Sequence, residues 1–311
     1  VVKVPRSIHE MTHVKIPTMS FPIHNLTPAE FPLRLHEIPQ PPKQLHYRGR
    51  MPGNELKLLT VVGSRKYTTY GKECVDHLIG GLRGYRVGIV SGLALGIDSL
   101  AHEAALANSL YTLAILGGGI DDKVIYPATH KTLAHRILDA GGGLLCEHDP
   151  HTKPAHRGAF PERNRLQAGV SHATLLIEAA EKSGTLITAR MATDYNRELL
   201  VVPGNIFSRQ HDGIHQFLKL GATPVTCAQD ILQVLNIDTN NERQPTLTDA
   251  PPNLTDDERT VLAALNEPLN RDELIRALQP NMDIAKATQT IMMMELGGLV
   301  VQSGGMYRAG R

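Results

Sequence analysis

The residues able to do chemistry in this 311-residue chain gather in a few short segments. Phe160-Pro161-Glu162-Arg163-Asn164-Arg165 joins an aromatic ring, a helix-starting proline and two guanidiniums. Lys153 and Arg157 precede it, with Glu162 as the nearby acid. Guanidiniums hold phosphate through paired hydrogen bonds, and an aromatic ring among them is a platform for unpaired bases. The competing reading is a solvated basic loop with Phe160 tucked into the core. The proline-started helix beside it favours the ligand-binding reading.

Four glycine-bearing segments follow predicted strands: Val62-Gly63-Ser64-Arg65, Val90-Ser91-Gly92, Leu116-Gly117-Gly118-Gly119 and Ser183-Gly184-Thr185. Glycine lets backbone N–H groups approach phosphate, and a helix N-terminus favours negative charge. Ser64 and Arg65 could bind phosphate together, or stand at a plain strand-to-helix turn. Gly96 reads as a turn glycine and Asp98 as a loop-fixing or capping group, with His102 one helical turn beyond it. Lys131, His135 and Arg136 share a helix face, a ligand surface or simply a solvated one, and Asp121-Asp122 reads as a loop. Neither a dinucleotide fingerprint, a P-loop nor a nucleophile elbow is present, and no Ser-His-Asp or Cys-His arrangement emerges.

Composition narrows the field. The formal net charge is +1, so affinity for a polyanion must come from a local patch. Cys74, Cys146 and Cys227 are too far apart in sequence for a metal knuckle, and read as free thiols of a reducing cytoplasm. The fifteen histidines are treated as surface or packing residues. No metal and no cofactor are expected, and no apolar run reaches the length of a membrane span.

The elements that must position these residues are legible as periodicity. Residues 1–50 are rich in proline, histidine and charge, and predict an extended N-terminal lead-in. Residues 51–236 alternate short apolar runs with helical patterns: strands at 56–62, 86–90, 112–116, 144–146, 173–177 and 199–202, and helices at 71–82, 96–108, 128–140, 162–168, 186–195 and 214–220. That alternation predicts a mainly parallel sheet covered on both faces, a doubly wound α/β domain. In such a sheet ligands bind where strand ends gather at one edge. Residues 237–253 read as a polar, proline-bearing linker. Residues 254–311 predict three helices and a hairpin, a winged helix, with Thr255 and Glu258 forming a capping box.

Taken together, Gly63-Ser64-Arg65, Ser91-Gly92-Leu93-Ala94 with Gly96-Ile97-Asp98, Tyr126-Pro127, Phe160-Pro161 with Arg163-Asn164-Arg165, Ser183-Gly184-Thr185-Leu186-Ile187-Thr188-Ala189 and Val202-Pro203-Gly204 resemble the DNA-processing protein A family (DprA/Smf). The resemblance covers roughly residues 30–235, with weaker motifs in the C-terminal segment. It implies an extended Rossmann-like fold and a single-stranded DNA-binding protein, cytoplasmic and not an enzyme. Such a protein protects incoming strands in natural transformation and helps load the RecA recombinase. The implied DNA site is Ser64, Arg65, Ser91, Gly92, Arg157, Phe160, Arg163, Asn164, Arg165, Ser183, Gly184 and Thr185. The implied homodimer interface includes His215, Phe217 and Val225. Gly118, His130 and Ala128 depart from the family's usual threonine, asparagine and lysine.

The rival is a nucleoside monophosphate phosphoribohydrolase of the lysine-decarboxylase-like (LOG) group, whose motif is P-G-G-x-G-T-x-x-E. Here Thr188 stands at the glutamate position. A winged helix acting on duplex DNA is disfavoured by its six basic against eight acidic residues over 254–311.

Overall fold

The computed structural model describes residues 21–153, 159–239 and 254–310. The sheet begins earlier than the sequence suggests. β1 (His24–Leu26) and β2 (Leu45–Gly49) pair antiparallel, joined through two 3-10 turns at Pro28–Glu30 and Leu33–His36. The described part of the expected lead-in is therefore built into the domain. The reason is apolar anchoring: Phe31, Leu35, Ile38 and Leu45 are buried beneath the sheet.

Six parallel strands follow: β3 (Lys57–Val62), β4 (Val87–Ser91), β5 (Tyr111–Ile115), β6 (Gly143–Cys146), β7 (Ala173–Leu176) and β8 (Glu198–Val201). A two-residue β9 (Thr223–Pro224) completes nine strands in the order β1-β2-β6-β5-β4-β3-β7-β8-β9. Between them run α1 (Thr69–Gly80), α2 (Ile97–Ala107), α3 (Lys131–Asp139), α4 (Ala159–Val170), α5 (Thr185–Asp194), α6 (Asp212–Lys219) and α7 (Ala228–Val234). From β3 the chain winds outward through β4, β5 and β6, then returns to the other side of β3 as β7. Right-handed crossovers then put α1 and α5 on opposite faces and leave a crevice between them.

Side chains alternate along β3 as the pleat requires. Leu59 and Val61 join α1, α2 and α7 on one face. On the other face Leu58 meets α4 through Leu166 and Val170, while Val62 meets α5 and α6. Continuous apolar strands follow from being covered twice.

The C-terminal unit is a winged helix: α8 (Asp256–Ala264), α9 (Arg271–Leu278), α10 (Ile284–Leu296) and a three-stranded sheet of β10 (Leu269–Asn270), β11 (Val300–Ser303) and β12 (Met306–Ala309). The capping box holds: the Glu258 N–H donates to Thr255 Oγ1 at 3.3 Å, and the Thr255 N–H donates to Glu258 Oε2 at 2.7 Å. Its own core centres on Val261, Leu274, Leu278, Met294 and Val300. Most of the linker, residues 240–253, lies outside the described residues.

Leu35, fully buried in the segment expected to be peripheral, gives a direct test. Leu35→Ala is expected to cost about 2–5 kcal/mol of stability, as core truncations do. Urea unfolding of the variant checks this; a change below about 0.5 kcal/mol would show that the segment is not part of the core.

Candidate nucleic-acid interface

The carboxyl ends of β3 and β7 open into a groove of about 820 Å³. Ser64, Arg65 and Lys66 line it from the turn after β3, and Lys182, Ser183, Gly184 and Thr185 from the approach to α5. Phe160, Arg163 and Asn164 enter from α4, and Gln210 from the turn before α6. A smaller hollow of about 40 Å³ adjoins it between Arg65, Gly92, Gly117, Gly118, Tyr126 and Phe160. Pro161 falls in the first turn of α4, where a missing N–H breaks no helical bond.

The loops are tied to one another by backbone. Gly96 has φ +89°, and a Cβ there would lie 2.3 Å from the Ser64 carbonyl. Glycine thus lets the Ile97 N–H donate to the Ser64 carbonyl at 3.1 Å. Thr185 Oγ1 donates to the Gly63 carbonyl at 3.0 Å, fixing the start of α5 to the end of β3. The Thr185 N–H donates to Ser183 Oγ at 3.2 Å. No heavy atom lies within 4 Å of a Cβ built on Gly184, so the start of α5, with its partial positive charge, is uncrowded where it lines the groove.

The charge of the groove is one-sided. Arg65, Lys66 and Lys182 are exposed, and none forms an ion pair with a carboxylate among the described residues. Among its described lining residues the one carboxylate is Asp98, which is buried and accepts the Gly92 N–H at 3.1 Å. Burial pushes the Asp98 carboxyl up, against the pull of Arg163 and the N–H groups of Gly92 and Ala94. The Arg65 guanidinium sits 5.5 Å from the Phe160 ring centroid, and Tyr126 lies beside that ring at 5.8 Å. A cation next to two partly open rings suits a chain with both phosphates and bases.

The expected cluster is only partly assembled. Ser64, Arg65, Phe160, Arg163, Asn164, Ser183, Gly184 and Thr185 share the groove, and Gly92 lines the hollow. Ser91 is fully buried and donates to the Val61 carbonyl at 2.7 Å, so it braces two strands. Arg165 turns away, donating to the Gln40 carbonyl and pairing with Glu147. Arg157 lies outside the described residues. Arg163 is itself buried and donates to the Ile115 carbonyl at 2.6 Å. A Cβ on Gly92 would fall 1.7 Å from its Nη1, which is why that position carries no side chain.

Of the interface expected at His215, Phe217 and Val225, the last two need correction. Val225 is fully buried and Phe217 nearly so, both packed into this chain's own core, because β9 and α6 fold their apolar sides inward. His215 bonds its Nε2 to the Gly204 carbonyl at 3.1 Å.

Other readings are also revised. His102 bonds Thr112 Oγ1 at 2.7 Å through Nδ1 rather than reaching Asp98. His135 and Arg136 are engaged by Asp122 and Glu103, away from the groove. Two histidine pairs stand at a spacing of four. His9 and His13, in His9-Glu10-Met11-Thr12-His13, lie outside the described residues; His211 and His215 frame the start of α6. Among the described residues no group of His, Cys, Asp or Glu is arranged to hold a metal ion. Lys66, Lys182 and Gln210 were missed; both lysines adjoin called residues, which was the available signal.

The profile described as DNA recombination-mediator protein A matches residues 23–236. The chain belongs to that family. The DprA winged helix domain matches residues 245–306. DNA processing protein DprA of Streptococcus pneumoniae is 37% identical over 223 residues, covering 71% of this chain and 76% of that one. Protein Smf of Escherichia coli is 33% identical over 300 residues, covering 92% and 77%. The solved structure of the Streptococcus pneumoniae protein superposes with a TM-score of 0.63 at 36% identity, over 70% of this chain and 75% of that one. DNA processing protein A of Helicobacter pylori, solved for its single-stranded DNA binding mode, gives 0.62 at 29% identity, over 70% and 96%. Among the described residues no helix is long and apolar enough to cross a membrane.

Two outcomes are expected of this arrangement. Arg163→Ala removes the cation that offsets buried Asp98, together with the bond to the Ile115 carbonyl, and is expected to cost about 3–5 kcal/mol, whereas exposed Arg65→Ala stays within about 0.5 kcal/mol. Thermal unfolding of both variants separates the structural arginine from the surface one; equal costs would contradict the burial argument.

The second concerns pH. Burial pushes His102 down to about 3 in the folded chain. The unfolded chain therefore takes up a proton that the folded chain refuses. The resulting stability is present above about pH 6.5 and is lost as pH falls toward 3, by at most about 1.4 kcal/mol per pH unit. Urea midpoints between pH 7.5 and 5 should fall, and His102→Asn should flatten that slope.

Proposed function

We propose that the groove binds single-stranded DNA without sequence preference. The observation that carries this is a groove lined by Arg65, Lys66 and Lys182, cations with no ion-pair partner among the described residues, with Arg65 beside the Phe160 ring and the start of α5 in the same wall. Phosphate and sugar contacts position a strand but carry no sequence information. Stacking on Phe160, and on Tyr126 beside it, is tolerant of base identity. The relative from Helicobacter pylori, with its single-stranded DNA binding mode, supports the reading. In the cell the protein acts as a cytoplasmic homodimer in natural transformation and recombination, protecting incoming strands and helping to load the RecA recombinase. The revised burial of Phe217 and Val225 leaves exposed groups such as Leu220, at the end of α6, as the ones available to a second copy.

The phosphoribohydrolase reading is disfavoured by the groove wall. Thr188, at the position of that group's glutamate, is buried and offers no carboxylate to stabilise a ribosyl cation. Free base released at enzymatic turnover from nucleoside monophosphates would overturn the choice.

A gel-shift series with single-stranded and duplex oligonucleotides tests the binding. With about three to five phosphates neutralised, log K for the single strand should fall with log salt at a slope of roughly −2 to −3.5. Arg65→Ala should weaken binding to all sequences alike and make that slope shallower by about 0.7. Unchanged affinity and slope in the folded variant would remove Arg65 from the site.

A further inference from the structure

The turn Asn205–Ser208 lies between β8 and α6, and its tip is apolar. The Ser208 N–H donates to the Asn205 carbonyl at 3.0 Å, and the Phe207 N–H donates to Asn205 Oδ1 at 2.9 Å. These bonds hold the turn closed and present Ile206 and Phe207 at its tip, 73% and 89% exposed. Of the chain's five phenylalanines, Phe207 alone is exposed. A tight turn ordinarily carries polar residues at its tip, so two large apolar groups there call for a ligand.

The position of the turn selects the ligand. Gln210, three residues beyond Phe207, lines the groove, so the Phe207 backbone stands within about 10 Å of the groove wall. That is about three stacked nucleotides. Arg209 is exposed two residues beyond Phe207, and Lys182 lines the groove. Neither pairs with a carboxylate among the described residues. An exposed ring two residues from an exposed guanidinium, and joined by a three-residue link to a cationic groove, has the makeup of a single-strand stacking platform. A second copy of the chain fits less well. A phenylalanine buries about 150–250 Å², so this tip supplies well under the roughly 800 Å² per partner of a stable interface.

We infer that Phe207 is a second base-stacking site, which takes up the strand after it leaves the groove past Gln210. The inference rests on the single-strand reading above and extends it. The bound strand then runs between two aromatic stations: Phe160 with Tyr126 at one end, and Phe207 at the other. The second station is reached only by oligonucleotides longer than the groove.

The chain has no tryptophan, so Phe207→Trp introduces a single reporter at the site. It is titrated with deoxythymidine oligomers of about four to sixteen nucleotides, the span of common single-strand site sizes. Quenching is expected only beyond a threshold length. Phe207→Ala should weaken binding of the long oligomer about five- to 150-fold, and leave the shortest unchanged. Three outcomes would overturn the inference: tryptophan emission indifferent to saturating long oligomer, equal loss by Phe207→Ala at all lengths, or emission that follows protein concentration rather than DNA. The last would assign the tip to a second copy. Arg65→Ala serves as the control. If it loses binding while the Phe207 variants do not, the groove stands and this extension fails; if the wild-type chain binds no oligomer, the reading beneath it fails.

Discussion

The site depends on a guanidinium that is mostly hidden. Arg163 projects from α4 under the groove, donates to the end of β5 at the Ile115 carbonyl, and is balanced electrically by buried Asp98. Burial pulls the Arg163 pKa down, and the carboxylate opposes that shift. The two charges are tolerable in a low-dielectric place because they attract each other without direct contact and each meets a fixed backbone dipole, at the Ile115 carbonyl and the Gly92 N–H. Asp98 also receives the Gly92 N–H, so the same pair sets the loop after β4. Gly92 is the complement of this arrangement, since any side chain there would occupy the space of the guanidinium.

A second buried carboxylate organises the opposite wall. Glu178, with no exposure, accepts the N–H and hydroxyl of Thr68, the residue that caps α1. Gly71 makes room for it; a Cβ there would press on the carboxylate at 2.5 Å. His211 faces it at 3.9 Å from the turn that carries Gln210. One group thus ties the loop bearing Arg65 and Lys66 to the turn before α6. Asp98 and Glu178 are committed inward, so neither neutralises the exposed cations of the groove.

This division explains how a chain with a net charge of only +1 builds an anion-binding surface. The acids are not absent. Asp98 and Glu178 serve the scaffold, and Glu147 is taken by Arg165. The field in the groove comes from a few side chains and from the start of α5, whose partial charge is fixed by the fold.

The sequence by itself determined the fold class and most of the groove's membership. Mainly apolar runs such as Lys57–Val62, and glycines after successive strands, are local properties, and a doubly wound sheet brings strand ends to one edge whatever the details. Local pattern also specified the winged helix, through the capping box at Thr255 and the Gly-bounded strands. The tertiary structure decided which of several like residues face the groove. Arg163 and Arg165 are two apart on α4 and so project in different directions; one goes beneath the groove and the other meets Glu147. Phe217 and Val225 became core because α6 and β9 pack inward, and residues 21–50 joined the sheet through apolar anchors spaced too irregularly to show a period. Types and spacings are written in the chain, but burial and partnership arise only when segments distant in sequence compete for the same space.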